Sequence, residues 1–246
     1  MVTGGGTGIG FATAYTLAKA GLAVMIGGRR EGVLEDACER IRRAATGARV
    51  AHRSVDVASA DDCSTLISES VSELGGVDAL VTAAAIYEPV PFIDMTPEAW
   101  DRTLDITLRG SVLCAVAAAR HMRDHGGGRI ILVSSLNGTV SEPESAHYSA
   151  AKAGIISLAR SMALDLAGYG IIVNAVAPGW VRTPMTEDFL QQSTTEMLRR
   201  VNPLARAGEP EEIANLICYL AVEAPAFLTG STLSIDGGQT AVASMP

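Results

Sequence analysis

Aromatic residues are scarce in this chain of 246 residues, at 4%. With 48% hydrophobic residues and 25 glycines, the core has to come from aliphatic strands and closely packed helices. Only four cysteines occur (Cys38, Cys63, Cys114, Cys218), far apart and with no Cys-x-x-Cys. They offer no disulfide framework and read as reduced, mostly buried thiols of a cytoplasmic protein. No charge-free apolar run reaches the length of a membrane span. Met1-Val-Thr-Gly-Gly-Gly has neither the basic region nor the apolar core of a signal peptide. Positive charge is short as well. The formal net charge of −8 argues against a general nucleic-acid or anionic-membrane surface.

What the chain does have is a repeated alternation of short aliphatic runs and helical patterns. Leu22–Ile26, 78–82, 129–133 and 171–176 are mostly apolar or β-branched runs, as in strands covered on both faces, and 49–55 and 232–236 are read as further strands from their place in the alternation. Helical spacing fills the intervals, including 31–45, 60–74 and one long helix from Thr96-Pro97-Glu98 to Asp124. The pattern predicts a single α/β domain over 1–246: a doubly wound, seven-stranded parallel sheet between two helix layers. Residues 182–206 form an excursion outside the alternation and are expected to be a substrate lid. Only Met1-Val2-Thr3 are left for the first strand, so the start is expected to be truncated relative to an ordinary central strand.

On such sheets, ligands bind beyond the carboxyl ends of the strands. Gly4-Gly5-Gly6-Thr7-Gly8-Ile9-Gly10 falls at the first of these ends, immediately before a helix. Glycines at 4, 8 and 10 let a pyrophosphate approach the backbone and the helix N-terminus. Gly27-Gly28-Arg29-Arg30 ends the second strand, where an acid would bind a free ribose 2′-hydroxyl. Arginines stand there instead, which favours NADP(H) over NAD(H). Asp56, Ala83, Ser135 and Pro178-Gly179 occupy other strand ends.

Ser135 ends the fifth run, and Tyr148 and Lys152 open the following helix. A spacing of four stacks the last two on one helix face. An ammonium ~5 Å from a phenol favours phenolate by roughly 3 kcal/mol at an effective dielectric of ~20, about two pKa units. That shift would suit general acid–base chemistry.

The chain resembles the short-chain dehydrogenase/reductase family over nearly its whole length. Thr3-Gly4-x-x-x-Gly8-x-Gly10 matches its cofactor turn, and Asp56-Val57 its adenine-contacting pair. Ser135, Tyr148 and Lys152 match its catalytic residues, and Asn174-Ala-Val-Ala-Pro178-Gly179-x-Val181-x-Thr183 its nicotinamide-end segment. Gly230 and Ile235-Asp236-Gly237-Gly238 match its last strand. The resemblance implies cofactor contacts from Gly4, Gly6, Thr7, Gly8, Ile9, Gly10, Arg29, Asp56, Val57, Ala83, Tyr148, Lys152, Pro178, Gly179, Val181 and Thr183. It also implies ketone–alcohol interconversion and a homotetramer, for which the alanines at 115, 117–119, 150, 151, 153 and 159 offer small helix faces. Two departures stand out. Thr82-Ala83-Ala84-Ala85 replaces Asn-Asn-Ala-Gly, and Thr107 aligns with the fourth catalytic member, an asparagine. These departures support an alternative, a low-turnover NADP-binding sensor or scaffold.

No metal site is expected. His121 and His125 lack a third ligand and are assigned to compensating the helix-end dipole. His147 faces either substrate or solvent, and Trp180 and Met185 are candidates for a pocket wall.

Overall fold

The computed structural model describes residues 1–241. Its centre is an all-parallel sheet of seven strands: β1 (Val2–Thr3), β2 (Val24–Gly28), β3 (Val50–Ser54), β4 (Ala79–Thr82), β5 (Gly128–Val133), β6 (Ile171–Pro178) and β7 (Thr232–Ile235). They lie in the order β3-β2-β1-β4-β5-β6-β7. The order reverses at β1, which pairs with β2 on one side and β4 on the other. A crevice therefore opens between the βα turns on either side of β1, the usual place for a dinucleotide.

Side-chain alternation along the strands divides the core between two faces. On one face Ile131 and Val133 of β5 pack with Val176 against α1 (Gly8–Lys19), α2 (Glu31–Ala44) and α9 (Pro210–Val222). On the other, Ile130 and Leu132 pack with Val173 against α3 (Ala60–Leu74), α5 (Gly110–Asp124) and α6 (Ala146–Leu166). The helix starts carry the expected chemistry. The Thr96 side chain accepts from the Ala99 N–H to start α4 (Pro97–Leu104), and Glu209 and Glu212 form a capping box on α9.

Three local expectations need correction. The segment 97–124 is not one α-helix: a π-helical turn, Asp105–Arg109, separates α4 from α5 and contains Thr107. Of the alanines expected on the interface faces, Ala115, Ala118, Ala119, Ala151 and Ala159 are buried within the chain. Their small size serves packing onto the sheet, whereas Ala150 and Ala153 of α6 are exposed. Finally, Cys63 and Cys114 are not isolated: their sulfurs lie 3.4 Å apart in the core between α3 and α5, as free thiols.

The 182–206 excursion folds as α7 (Glu187–Gln192) and α8 (Thr195–Val201) above the carboxyl ends of β6 and β7. No helix is long and apolar enough to cross a membrane among the described residues.

Candidate active site

The Gly-rich turn between β1 and α1 makes the closest approach in the crevice. Gly4 has φ +66°, and a Cβ there would meet the backbone of Ala83 and Ala84 at 2.8 Å. A Cβ on Gly10 would collide with the Gly4 carbonyl oxygen. The loop after β1 and the first turn of α1 are thus nested with no room for side chains, leaving bare backbone beside the crevice.

Two cavities continue one another along the strand ends. The first, about 710 Å³, is lined by Gly4, Gly6, Arg29, Arg30, Asp56, Val57 and Ala83, among others. The second, about 690 Å³, shares Ala83 and Ala85 with it and runs past Thr7, Gly8, Ile9 and Gly10 to Ser135, Tyr148, Lys152, Pro178, Gly179, Val181 and Thr183. The positions expected to hold a cofactor therefore line one trough. Asp56 is engaged in its own turn, accepting from the Ala58 N–H at 3.0 Å. Neither Arg29 nor Arg30 has an acidic partner within ion-pair distance among the described residues.

A third cleft, about 400 Å³, meets the trough at Ser135, Tyr148, Gly179, Met185 and Thr186, and is otherwise walled by Tyr87, Leu136, Asn137, Glu142 and Trp180. The Tyr87 ring stands edge-on to Tyr148, with centroids 5.1 Å apart. Trp180 stacks on Phe189 of α7 at 4.1 Å. Sequence reasoning found Trp180 and Met185 for this wall but missed Tyr87, Asn137 and Glu142. Those three lie in loops and turns, where no periodicity marks an inward-facing residue.

Lys152 is 2% exposed, and its ammonium donates to the Val133 carbonyl at 2.8 Å. Its nitrogen lies 5.5 Å from the Tyr148 ring centroid, close to the expected separation. The expected pKa effect, however, is reversed. Burial pushes the Tyr148 phenol up to about 12, with the Ser135 hydroxyl pulling the other way, and burial pushes Lys152 down to about 7. Desolvation disfavours both charged forms and is the largest cause at each group.

Thr107 does not join this group: it lines none of the three cavities and is fully buried. Its hydroxyl faces the Ile86 N–H at 3.5 Å, and its carbonyl accepts from the Ser111 hydroxyl at 2.9 Å. His147 faces neither substrate nor solvent. It is buried, with Nε2 against the Glu88 carbonyl at 3.0 Å. His121 and His125 stack at 4.0 Å, and the Val77 N–H donates to His121 Nε2. Burial, then the neighbouring His125, hold His121 below the usual histidine range, which weakens its part in compensating the helix-end dipole.

The same arrangement recurs in known proteins. The profile of a family described as Enoyl-(Acyl carrier protein) reductase matches residues 4–240. Cis-4-hydroxycyclohexanecarboxylate dehydrogenase of Sinomonas cyclohexanicum is 42% identical over 243 residues, covering 98% of this chain and 96% of the relative. A 3-oxoacyl-[acyl-carrier-protein] reductase of Synechocystis is 38% identical over 239 residues, covering 97% and 95%. The chain belongs to the short-chain dehydrogenase/reductase family. Among solved structures, levodione reductase superposes with a TM-score of 0.92 at 30% identity, covering 98% of this chain and 96% of the other. As a short-chain dehydrogenase/reductase with a Rossmann-like sheet, the chain is an enzyme of ketone–alcohol oxidoreduction.

Proposed function

We propose that the enzyme interconverts a ketone and a secondary alcohol with NADP(H) in preference to NAD(H), using Tyr148 as general acid and base. The observation that carries this reading is that Ser135 and Tyr148 border both the cofactor trough and the third cleft. A phenol at that junction can exchange a proton with an oxygen in the cleft while the oxygen's carbon faces the trough. A nicotinamide bound in the trough supplies or takes the hydride.

Ser135 positions the reacting oxygen. Its own hydroxyl is oriented by the Asn137 N–H at 3.1 Å. Lys152, held against Val133, would hold the ribose and, once charged, lower the Tyr148 pKa. The cofactor preference rests on Arg29 and Arg30, two unpaired cations at the end of β2 where an acid would be required for the 2′-hydroxyl. The trough fits such a cofactor: glycine backbone at the pyrophosphate position, and guanidinium groups at the ribose end. Thr107 would serve only indirectly, through the packing beneath α6.

The 182–206 excursion acts as a lid in this reading, since Met185 and Thr186 close both the cleft and the trough. Assembly as a homotetramer is proposed from the family. Val116 on α5 and Leu164 on α6, 43% and 82% exposed, join the exposed Ala150 and Ala153 as apolar positions for an interface. The enzyme test is reduction of a panel of ketones with NADPH and with NADH. Absence of turnover with every ketone would sink the proposal, and a monomer in light scattering at micromolar concentration would sink the tetramer.

A further inference from the structure

Glu142 is the one acidic side chain among the residues lining the third cleft. Its placement is built rather than incidental. The Trp180 indole N–H donates to Oε1 at 3.0 Å, and the Asn137 amide approaches Oε2 at 3.4 Å. Behind it, the Ser145 hydroxyl donates to the Glu142 carbonyl at 2.6 Å. Glu144 holds a left-handed φ of 61°, a strained state for a non-glycine residue, and its carbonyl accepts from the Val90 N–H at 2.8 Å. The Asn137 that contacts the carboxyl also orients the Ser135 hydroxyl through its backbone N–H. Reacting serine and carboxyl are thus held by one residue.

Both partners of the carboxyl are neutral, and no cation pairs with it among the described residues. A carboxylate has about four lone-pair sites, so about two remain for a ligand. Burial pushes this group above the usual carboxylate range, as expected where water is partly withdrawn. A ligand filling the cleft removes more of that water. It binds well only by returning a hydrogen-bond donor, and a second anion there meets both repulsion and desolvation.

We infer that Glu142 is a specificity-determining residue: the cleft takes ketones and secondary alcohols carrying a second hydrogen-bond donor, a hydroxyl or an ammonium, and rejects those carrying a carboxylate. The inference rests on the reading of this cleft as the substrate site.

The test uses four ketones of one ring size: 4-hydroxycyclohexanone, 4-aminocyclohexanone, 4-methylcyclohexanone and 4-oxocyclohexanecarboxylate. Hydrogen bonds to a charged group give about tenfold to a hundredfold, so kcat/KM for the hydroxy and amino ketones should exceed that for the methyl ketone by at least about tenfold. The carboxylate should fall below the methyl ketone by a similar factor. Glu142→Gln, which keeps an acceptor for Trp180, should bring the carboxylate and methyl ketones to within about threefold of each other. Glu142→Met, of similar length and without an acceptor, should also abolish the preference for donors. A greater loss for the amino than for the hydroxy ketone in Glu142→Gln assigns an ammonium, and equal losses assign a neutral donor. Binding of the same compounds to the cofactor-loaded protein, read as a rise in thermal midpoint, provides a measurement free of turnover. If binding follows the order given but no ketone is reduced, the oxidoreductase reading fails and the selectivity stands. Ratios that are the same in the wild type and both variants, in binding and in turnover, overturn the role of Glu142.

Discussion

Lys152 fastens to the Val133 carbonyl at 2.8 Å while its nitrogen lies 5.5 Å from the centre of the Tyr148 ring. Each of the two side chains is driven toward its neutral form by burial, so the resting pair is a neutral phenol beside a partly deprotonated amine. An anionic group entering the trough would favour the charged amine and disfavour a phenolate.

The first expectation concerns stability. In the folded chain Lys152 loses its proton near 7, whereas in the unfolded chain it keeps it up to the usual lysine range. Between those limits the unfolded state binds more protons, so this group makes stability rise with pH. Its penalty is complete below 7 and absent above the lysine range. Tyr148, with a raised pKa, contributes a constant amount below the usual tyrosine range and does not disturb this window. Urea unfolding of the wild type and Lys152→Met from about pH 7 to 9.5 should show the smaller slope in the variant; equal slopes would contradict the burial of the amine.

Tyr148→Phe removes the phenolic oxygen and should cut kcat by about 10²–10⁴-fold. Undiminished turnover would overturn the proposed acid–base role.

The proposed cofactor choice turns on Arg29. Hydrogen bonds to charged groups are worth about 1.5–3 kcal/mol, so NADPH should be preferred over NADH by at least about tenfold in kcat/KM. Arg29→Asp should erode that ratio. Equal use of the two cofactors by the unmodified enzyme would remove the basis for the assignment.

Thr107→Asn should raise kcat or leave it unchanged. A longer amide at the π-helical turn offers two donors besides an acceptor that can replace the hydroxyl facing Ile86. A sharp fall would show that threonine has a role of its own there.

Thr82 ends β4 fully buried, and its hydroxyl has no hydrogen-bond partner among the described residues. It stands where the family commonly has an asparagine. Thr82→Val removes the unpaired hydroxyl at nearly constant shape and should stabilise the fold by about 1 kcal/mol, read in the denaturation midpoint. Destabilisation would mean that the hydroxyl is paired after all.

The seven-strand parallel sheet was legible because the central strands are short and aliphatic and alternate with helical patterns, with the Gly4–Gly10 turn marking the first crossover. Ser135, Tyr148 and Lys152 were legible because fixed spacing on a strand end and one helix determines where they stand. Glu142 was not, since a loop stretch whose shape depends on Ser145, Glu144 and Val90 has no period to reveal its direction. His147 adjoins Tyr148 in sequence but points into the protein, which only the position of Glu88 explains. The reversed pKa shifts depend on burial, and burial at a single position comes from the whole fold.

Two bonds join α6 to β5 at the same point: the Ser134 hydroxyl donates to the Lys152 carbonyl at 2.8 Å, and the Lys152 ammonium donates to Val133. One residue is therefore both rivet and reagent. A lineage that altered its side chain would lose the bond to Val133 and the charged group together, while the bond from Ser134, made to the backbone carbonyl, would stay. Diversification of substrate or cofactor is left to sites outside the rivet, such as Arg29 at one end of the trough and Glu142 in the adjoining cleft.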